Sequence, residues 1–360
     1  MKKIIIALSA SLLFAGNARS QGCIAIRNIS GFGQYNFTDN AFSTSNWRLN
    51  IANRYFKSFR EFNGTSEVNS AKEDEIIHYI YTMDISVLML MQKGWSLALS
   101  VPFSSNTRST STDHGGVGQP RHSIHAFGIG DLRFTAYKWL VQPKVYQKAN
   151  VQLGLGIKLP TGDYRYQDYF YRKEDSAVLA PVPIPIQLGD GGTGIITELN
   201  TFYVFDNRRL ILEGNFYYLF NPRDQNGVST TLGRIPTALQ IKATQNVASV
   251  ADQFALRVGS TYKFNKLAFS GAIRYEGQPV YDLIGKSNGN RRAGYNLSIE
   301  PGIVYTIKKI SLYAYIPVIV GREIKQNVPE KRITEWTGVY YSNPGGFANY
   351  LVFVGASFKL

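Results

Sequence analysis

Three of the four histidines lie in one short stretch of the chain and offer ligands for a transition metal. His114, His122 and His125 follow Asp113, and imidazole nitrogens are common ligands of Zn²⁺ and Cu²⁺. The stretch is also rich in Gly and Ser, so nothing in the sequence fixes a ligand geometry. We therefore predict a solvated polar loop and no metal site.

A glycine-rich segment, residues 189–194, formally matches the turn of a dinucleotide-binding site. Such a site needs a helix directly after the turn, because the helix N-terminus holds the pyrophosphate. Residues 195–205 have the pattern of a strand instead. We predict a loop-to-strand turn and no nucleotide cofactor.

Hydrolysis by a serine and a histidine is the remaining catalytic option. His78 and Ser86 share one face of a predicted strand, but at about 3.3 Å per residue they are roughly 26 Å apart. No motif marks another such pair. We predict no catalytic residue and expect that the chain is not an enzyme.

An aromatic and basic cluster follows Asp163 and includes Arg165, Arg172 and Lys173. Its aromatic members are Tyr164, Tyr166, Tyr169, Phe170 and Tyr171. The cluster could stack on an aromatic or sugar ring, or fold inward as a constriction. Packing on a rim, or contact with lipid phosphates, explains the same residues.

The N-terminus predicts export. Residues 1–20 combine Lys2 and Lys3 with an apolar stretch and small residues at a cleavage site, which is typical of a signal peptide. An alternative is lipidation of Cys23, although the preceding residues lack the usual leucine. We divide the chain into a signal peptide (1–20), a pre-barrel segment (21–44) and a barrel (45–360).

The charge and cysteine content narrow the class further. The chain carries a formal charge of +14, and the three basic residues of the signal peptide account for part of it, leaving +11. Export argues against nucleic acid as the partner, so lipid phosphates or anionic solutes are more plausible. A single cysteine excludes internal disulfides. No later stretch has the eighteen consecutive apolar residues of a transmembrane helix, so any membrane span must be a strand.

Side chains alternate between apolar and polar along many segments, as in residues 47–55 and 294–307, which is the period of a β-strand. We predict an all-β transmembrane antiparallel β-barrel with about twelve strands. They lie near 45–59, 75–91, 95–103, 125–140, 150–161, 193–205, 210–221, 252–264, 267–277, 294–307, 310–321 and 348–360. Pro301 and Pro317 fall within strands, so we expect a bulge at each.

The connections between these strands alternate in length. The short ones are 92–94, 141–149, 206–209, 265–266 and 308–309, and the long ones are 60–74, 104–124, 162–192, 222–251, 278–293 and 322–347. Short periplasmic turns and long extracellular loops are the rule in outer-membrane barrels, whereas a soluble sandwich gives no reason for it. We therefore predict the outer membrane as the location.

The same alternation assigns charged residues to the lumen. The proposed solute path consists of Arg48, Arg54, Asp84, Asp131, Arg133, Lys158, Glu198, Glu213, Arg257, Arg274, Glu276 and Glu300, with Lys263 beside them. The nearly equal numbers of acids and bases predict paired charges that brace a narrow, partly filled channel.

The C-terminus resembles the assembly signal of outer-membrane proteins, with Gly355, the aromatic Phe358 and the terminal apolar Leu360. That resemblance implies recognition by the barrel-assembly machinery. Within about 125–205, the segments 128–133, 155–164 and 188–194 resemble the outer-membrane transport family named after meta-pathway phenol degradation, which is distantly similar to hydrophobic-compound channels. This second resemblance implies uptake of small, hydrophobic or aromatic molecules.

Two functions remain open from the sequence. The first is an outer-membrane channel that passes a small molecule through a narrow barrel. The second is a structural or adhesion barrel with a self-plugged lumen and outer loops that bind partners. Residues 21–44 are a possible plug in either case, because 23–29 are apolar.

Overall fold

The computed structural model describes residues 46–68, 74–116, 118–143, 147–173 and 176–360. The signal peptide and the predicted plug at 21–44 lie outside these residues. The strands in chain order are β1 (Trp47–Asn63), β2 (Ser66–Val68), β3 (Ile77–Leu90), β4 (Trp95–Thr110), β5 (His122–Ile129), β6 (Leu132–Trp139), β7 (Ala149–Leu159), β8 (Gln167–Lys173), β9 (Ser176–Pro181), β10 (Gly194–Val204), β11 (Leu210–Phe220), β12 (Gln225–Ser229), β13 (Val247–Ser249), β14 (Gln253–Phe264), β15 (Leu267–Gln278), β16 (Gly294–Ile307), β17 (Ile310–Tyr315), β18 (Val318–Ile324), β19 (Gly345–Ala348) and β20 (Val352–Lys359).

The wall is a closed antiparallel sheet. Its order around the barrel is β1, β3, β4, β5 with β6, β7, β10, β11, β14, β15, β16, β17 with β18, and β20 with β19. β20 pairs back onto β1, with Arg48 opposite Lys359, and this closes the ring. Over the described residues the wall therefore has twelve strands, as predicted, three of them broken into two segments.

Alternation along β1 shows how the sequence builds the wall. Trp47 and Tyr55 lie on the outer, exposed face, whereas Arg48, Ala52 and Arg54 are buried inside the barrel. The outer face carries many exposed apolar side chains, which suits contact with lipid chains, and the ring pairs the backbone groups along most of the wall strands.

Two predicted strands have different limits in the structure. The strand predicted at 95–103 continues to Thr110, because residues 104–109 pair with β3 and Thr110 pairs with His122 of β5, although their side chains lack apolar alternation. The strand predicted at 125–140 starts at His122 and is broken at Gly130 and Asp131, where the partner strand changes.

The two prolines share one interruption. Ile299 pairs with Val318 and Gly302 with Tyr315, so Pro301 stands opposite the gap between β17 and β18 that contains Pro317. The missing N–H groups therefore fall where no ladder is formed. β16 itself is continuous, so the bulge predicted at Pro301 was wrong, and the break occurs in the strand of Pro317.

The long loops contain secondary structure of their own. β8 pairs with β9, and β12 with β13. The helices α1 (Ala238–Ala243) and α2 (Val328–Thr337) begin at Thr237 and Asn327, whose side chains form capping boxes. No helix among the described residues has the length and apolar character required to cross a bilayer.

Candidate functional site

The loop between β7 and β10, residues 160–193, which we call the inward loop, packs into the lumen with Ile186 and Leu188. Ile186 is fully buried within the barrel, and its carbonyl accepts a hydrogen bond of 3.2 Å from the Asn106 side chain of β4. Ile186 and Leu188 belong to one apolar cluster with Phe56 and Ile80 of the wall. The plug of the described barrel is therefore an outer loop that folds inward.

The inward loop leaves the wall at a gap. β5 pairs only with β4, because β7 ends at Leu159 and β10 begins at Gly194. The hairpin of β8 and β9 stands beside the unpaired edge of β5, where the Asp168 carboxylate accepts a hydrogen bond of 2.7 Å from the His125 N–H. The hairpin thus covers an edge that the wall strands leave open.

Five residues fasten the base of the inward loop to the wall, and we call them the latch: Asp131, Lys158, Thr161, Gly162 and Asp190. The Asp131 carboxylate accepts hydrogen bonds from the N–H groups of Gly162 (3.0 Å) and Asp190 (3.2 Å). Lys158 donates to Asp190 and lies 3.7 Å from Asp131. The Thr161 hydroxyl donates to the Gly130 carbonyl at 2.8 Å. Both ends of the loop are therefore held at one place.

Glycine is required in the latch because two backbone segments touch. A Cβ on Gly162 would lie 2.7 Å from the Leu188 carbonyl oxygen and 2.8 Å from the Gly189 nitrogen, and a Cβ on Gly189 would collide with Asp131. The three glycine-containing segments that carry the family resemblance thus meet at the latch. The glycine-rich segment 189–194 leads into the strand Gly194–Val204, so the element after it is a strand, as predicted.

A cavity of about 70 Å³ lies beside the inward loop, which is room for a few water molecules. Part of its wall is apolar, from Phe56, Ile80, Leu188 and Leu219. Another part is charged, from Arg54, Asp131, Arg133, Lys158 and Asp190, and neutral polar side chains such as Asn106 and Gln187 complete the lining.

A second set of charges fills the lumen along β11, β14, β15 and β16, and we call it the charge network. Arg257 contacts Glu300 at 2.6 Å and Glu213 at 3.4 Å. Arg274 contacts Glu276 at 2.8 Å and Glu300 at 3.8 Å. All five side chains are almost fully buried, so each charge relies on its partners in place of water.

The other residues assigned to the lumen are also buried, except Lys263, which is half-buried. Arg133 pairs with Asp84, and the Tyr137 hydroxyl donates to Glu198 at 3.2 Å. Arg48 and Arg54 are buried on the inner face of β1. Most of the lumen set thus belongs to the latch and cavity or to the charge network, and Arg48 and Glu198 lie outside both groups.

The aromatic cluster divides by the alternation of β8. Phe170 is fully buried in the apolar cluster, and Tyr166 packs against it, whereas Tyr169 and Tyr171 are exposed. The Arg165 and Arg223 guanidinium groups lie 5.1 Å and 5.9 Å from the centre of the Tyr164 ring. The sequence left open whether this cluster stacks on a ring, folds inward, packs on a rim or contacts lipid. Tyr166 and Phe170 fold inward.

The prediction of a solvated histidine loop was wrong. His122 and His125 belong to β5, and His114 is buried, stacked on Phe170 at 5.8 Å. Asp113 is buried too and pairs with Arg108, which contacts His78 at 2.8 Å. Packing of the hairpin against this loop, which the local composition does not reveal, removes His114 and Asp113 from water, whereas His125 stays exposed. Among the described residues no acid, histidine and cysteine grouping fits a metal.

His114 makes this packing sensitive to pH. Burial lowers the pKa of His114 to about 4, below the usual 6.5, and its Nδ1 accepts a hydrogen bond of 3.1 Å from the Tyr171 N–H, which requires the neutral ring. An opened loop therefore binds more protons between pH 6.5 and pH 4, so packing should weaken as the pH falls through this window. We expect amide exchange at Tyr171, corrected for its intrinsic pH dependence, to lose protection in that range.

His114→Phe should keep the stacking and abolish this pH dependence, whereas His125→Gln, a change at an exposed histidine, should leave it intact. Equal protection at pH 7.5 and pH 4.5 in the unaltered protein would contradict the prediction.

Comparison with known proteins supports the fold of this chain. No family model matches the chain, and no curated protein is significantly similar in sequence. An outer-membrane channel from Pseudomonas putida F1 is similar in structure, with a TM-score of 0.59 and 10% identity over 88% of this chain and 96% of that one. The translocator domain of the autotransporter NalP from Neisseria meningitidis gives a TM-score of 0.46 at 10% identity, over 90% of this chain and 92% of that one. The toluene transporter TodX from Pseudomonas putida gives 0.44 at 9% identity, over 95% and 97%.

The similarity at 0.59 shows the fold of an outer-membrane β-barrel. Identity this low says nothing about the solute. The more specific resemblance to the meta-pathway phenol family stays a prediction.

Proposed function

We propose that this protein is an outer-membrane channel for a small, hydrophobic or aromatic molecule, closed at rest by the inward loop. The observation that carries the proposal is the latch. The obstruction is a loop that returns to its starting point and is fastened there by hydrogen bonds and ion pairs, beside a cavity. A loop held in this way can be released without disturbing the strands of the wall.

The lining of the cavity suggests the type of solute. Phe56, Ile80 and Leu219 offer an apolar surface, while Arg54 and Arg133 can orient a hydroxyl or carboxylate. A small aromatic acid or alcohol combines both properties. The remaining lumen charges, from Arg48 to Glu300, would line the rest of the path.

Two partners belong to this proposal. The outer face would contact membrane lipids, and the C-terminal strand would be recognised by the barrel-assembly machinery through Gly355, Phe358 and Leu360. Gly355 also has a packing reason to be glycine, because a Cβ there would lie 2.6 Å from the Ile51 carbonyl oxygen.

A structural barrel is the second candidate, and the filled interior favours it. The charge network and the inward loop together occupy much of the lumen. If the latch never opens, the outer loops would be the functional surface and would bind a partner outside the cell.

Planar-bilayer conductance separates the two. Transient release of the latch should give small, brief single-channel steps, which 4-hydroxybenzoate reduces and glucose does not. Phe56→Ala enlarges the cavity and should weaken that block, whereas Tyr55→Ala, its neighbour on the lipid face, should not. Silence from a folded, heat-modifiable barrel would favour the structural reading, and large unselective steps would contradict a closed lumen.

A further inference from the structure

The positive charge of the barrel is concentrated at one end. The five short turns, 91–94, 140–148, 205–209, 265–266 and 308–309, contain eight Lys or Arg residues and one acid, Asp206. The six long loops, 64–76, 111–121, 160–193, 221–252, 279–293 and 325–344, contain fourteen basic and fifteen acidic residues. Most of the excess that makes the protein basic therefore lies at the short-turn end, which in outer-membrane barrels faces the periplasm.

The basic side chains surround the barrel. Within the described residues the exposed ones, which we call the basic ring, are Lys93, Lys148, Arg208, Arg209, Lys266, Lys308 and Lys309. They come from all five turns, and these turns follow one another around the closed sheet. Lys148 contacts Asp206 at 2.5 Å, so this acid offsets one charge of the ring.

An aromatic belt lies next to the basic ring on the outer face. Trp47, Trp95, Tyr203 and Tyr262 are exposed near the same strand ends. Lys138 Nζ lies 5.1 Å from the centre of the Trp95 ring and donates to the carbonyl of Lys93. Exposed Trp and Tyr mark the boundary between acyl chains and headgroups, so the ring lies at the level of lipid phosphates.

Turn geometry does not account for these residues. Lys93, Arg208 and Lys308 have φ values of 59°, 53° and 51°, a left-handed conformation that favours Gly or Asn. Long cationic side chains occupy these positions although a smaller residue would fit the backbone better. Their charge therefore needs a reason other than the turn.

We propose that the basic ring binds the phosphate groups of anionic phospholipids in the inner leaflet of the outer membrane. The spacing of the charges favours lipid over an acidic protein, because a protein partner would meet one side of the barrel, whereas a lipid annulus meets every turn. Each Lys or Arg near an anionic membrane surface adds to the attraction.

Tryptophan fluorescence can test this directly. The four tryptophans include Trp47 and Trp95 beside the ring, and Trp336 lies in the outer loops, so Trp336→Phe serves as the background. The protein would be reconstituted in phosphatidylcholine vesicles that contain either brominated phosphatidylglycerol or brominated phosphatidylcholine at equal mole fraction. We expect quenching by the anionic lipid to exceed that by the neutral lipid by at least about twofold, and the excess to shrink in about 0.5 M salt.

Matched variants decide whether the ring is responsible. The ring variant combines Lys93→Gln, Arg208→Gln, Arg209→Gln, Lys266→Gln, Lys308→Gln and Lys309→Gln, and it keeps Lys148 because Asp206 offsets that charge. The control combines Arg165→Gln, Lys242→Gln, Lys286→Gln, Lys325→Gln, Lys331→Gln and Arg332→Gln in the outer loops and removes the same charge. We expect the excess quenching to disappear in the ring variant and to persist in the control.

Three results would overturn the proposal. Equal quenching by the two lipids would exclude a site for anionic lipid. An acidic soluble protein would then be the remaining partner for the basic ring. Excess quenching that survives in the ring variant would place the lipid site elsewhere. Loss of the excess quenching in both variants would mean that the quenching depends on the overall charge of the protein and not on the basic ring.

Discussion

Replacing residues 163–187 with Gly-Ser-Gly-Ser is expected to convert the closed barrel into a conducting pore. The linker can bridge the cut, because Gly162 and Leu188 already touch, with a Cβ on Gly162 only 2.7 Å from the Leu188 carbonyl. Removing the hairpin and Ile186 empties the centre of a twelve-stranded wall, so single-channel steps should rise roughly tenfold over the unaltered protein. Conductance in a planar bilayer measures this directly.

The control for the deletion is the pair Tyr169→Ala and Leu179→Ala, which alters the exposed face of the same hairpin. This variant should keep the small steps of the unaltered protein. A deletion variant that folds, as judged by heat modifiability, and remains silent would show that the charge network or another segment closes the lumen.

Arg257→Met is expected to cost the largest amount of stability among single changes in the lumen. It leaves the buried carboxylates of Glu213 and Glu300 without their shared partner. Removal of one member of a buried ion pair typically costs about 3–5 kcal/mol, because an uncompensated charge remains in a dry environment. Urea unfolding of the protein in lipid vesicles, followed by tryptophan fluorescence, gives the free energy.

Two further variants test the explanation. Arg257→Met combined with Glu213→Gln and Glu300→Gln removes the uncompensated charges and should recover most of the loss, since Arg274 keeps Glu276. Arg60→Met breaks the exposed pair with Glu67 and should cost less than about 1 kcal/mol. A single Arg257→Met variant as stable as Arg60→Met would mean that water reaches the network.

Much of the wall could be predicted because its pattern is local. A strand points successive side chains to opposite faces, so the alternation around Arg48 and Arg257 is readable without knowing which strands are neighbours. Those side chains are 1% and 2% exposed in the barrel. The alternation of short turns and long loops supported the predicted number of strands. This alternation depends only on the order of segments along the chain, so the sequence shows it directly.

No local pattern of this kind in the sequence predicted that the inward loop packs into the barrel. Ile186 and Leu188 contact wall residues more than a hundred positions earlier in the chain, among them Phe56 and Ile80, and a contact of that kind leaves no period in the sequence. The same holds for His114, which is buried by a hairpin that begins some fifty positions later. The glycines at 162 and 189 were visible, but the close approach that requires them appears only in three dimensions.

The seam between β1 and β20 has a consequence for how the chain folds. Asn53 of the first wall strand donates to the Val354 carbonyl of the last, and 301 positions separate them. The entropy lost on closing a loop grows with its length, so this seam is the costliest pairing of the wall. It cannot form before the final strand has been synthesised. Until then both edges of the sheet carry unpaired backbone groups, and the growing chain must be kept from aggregating while it waits.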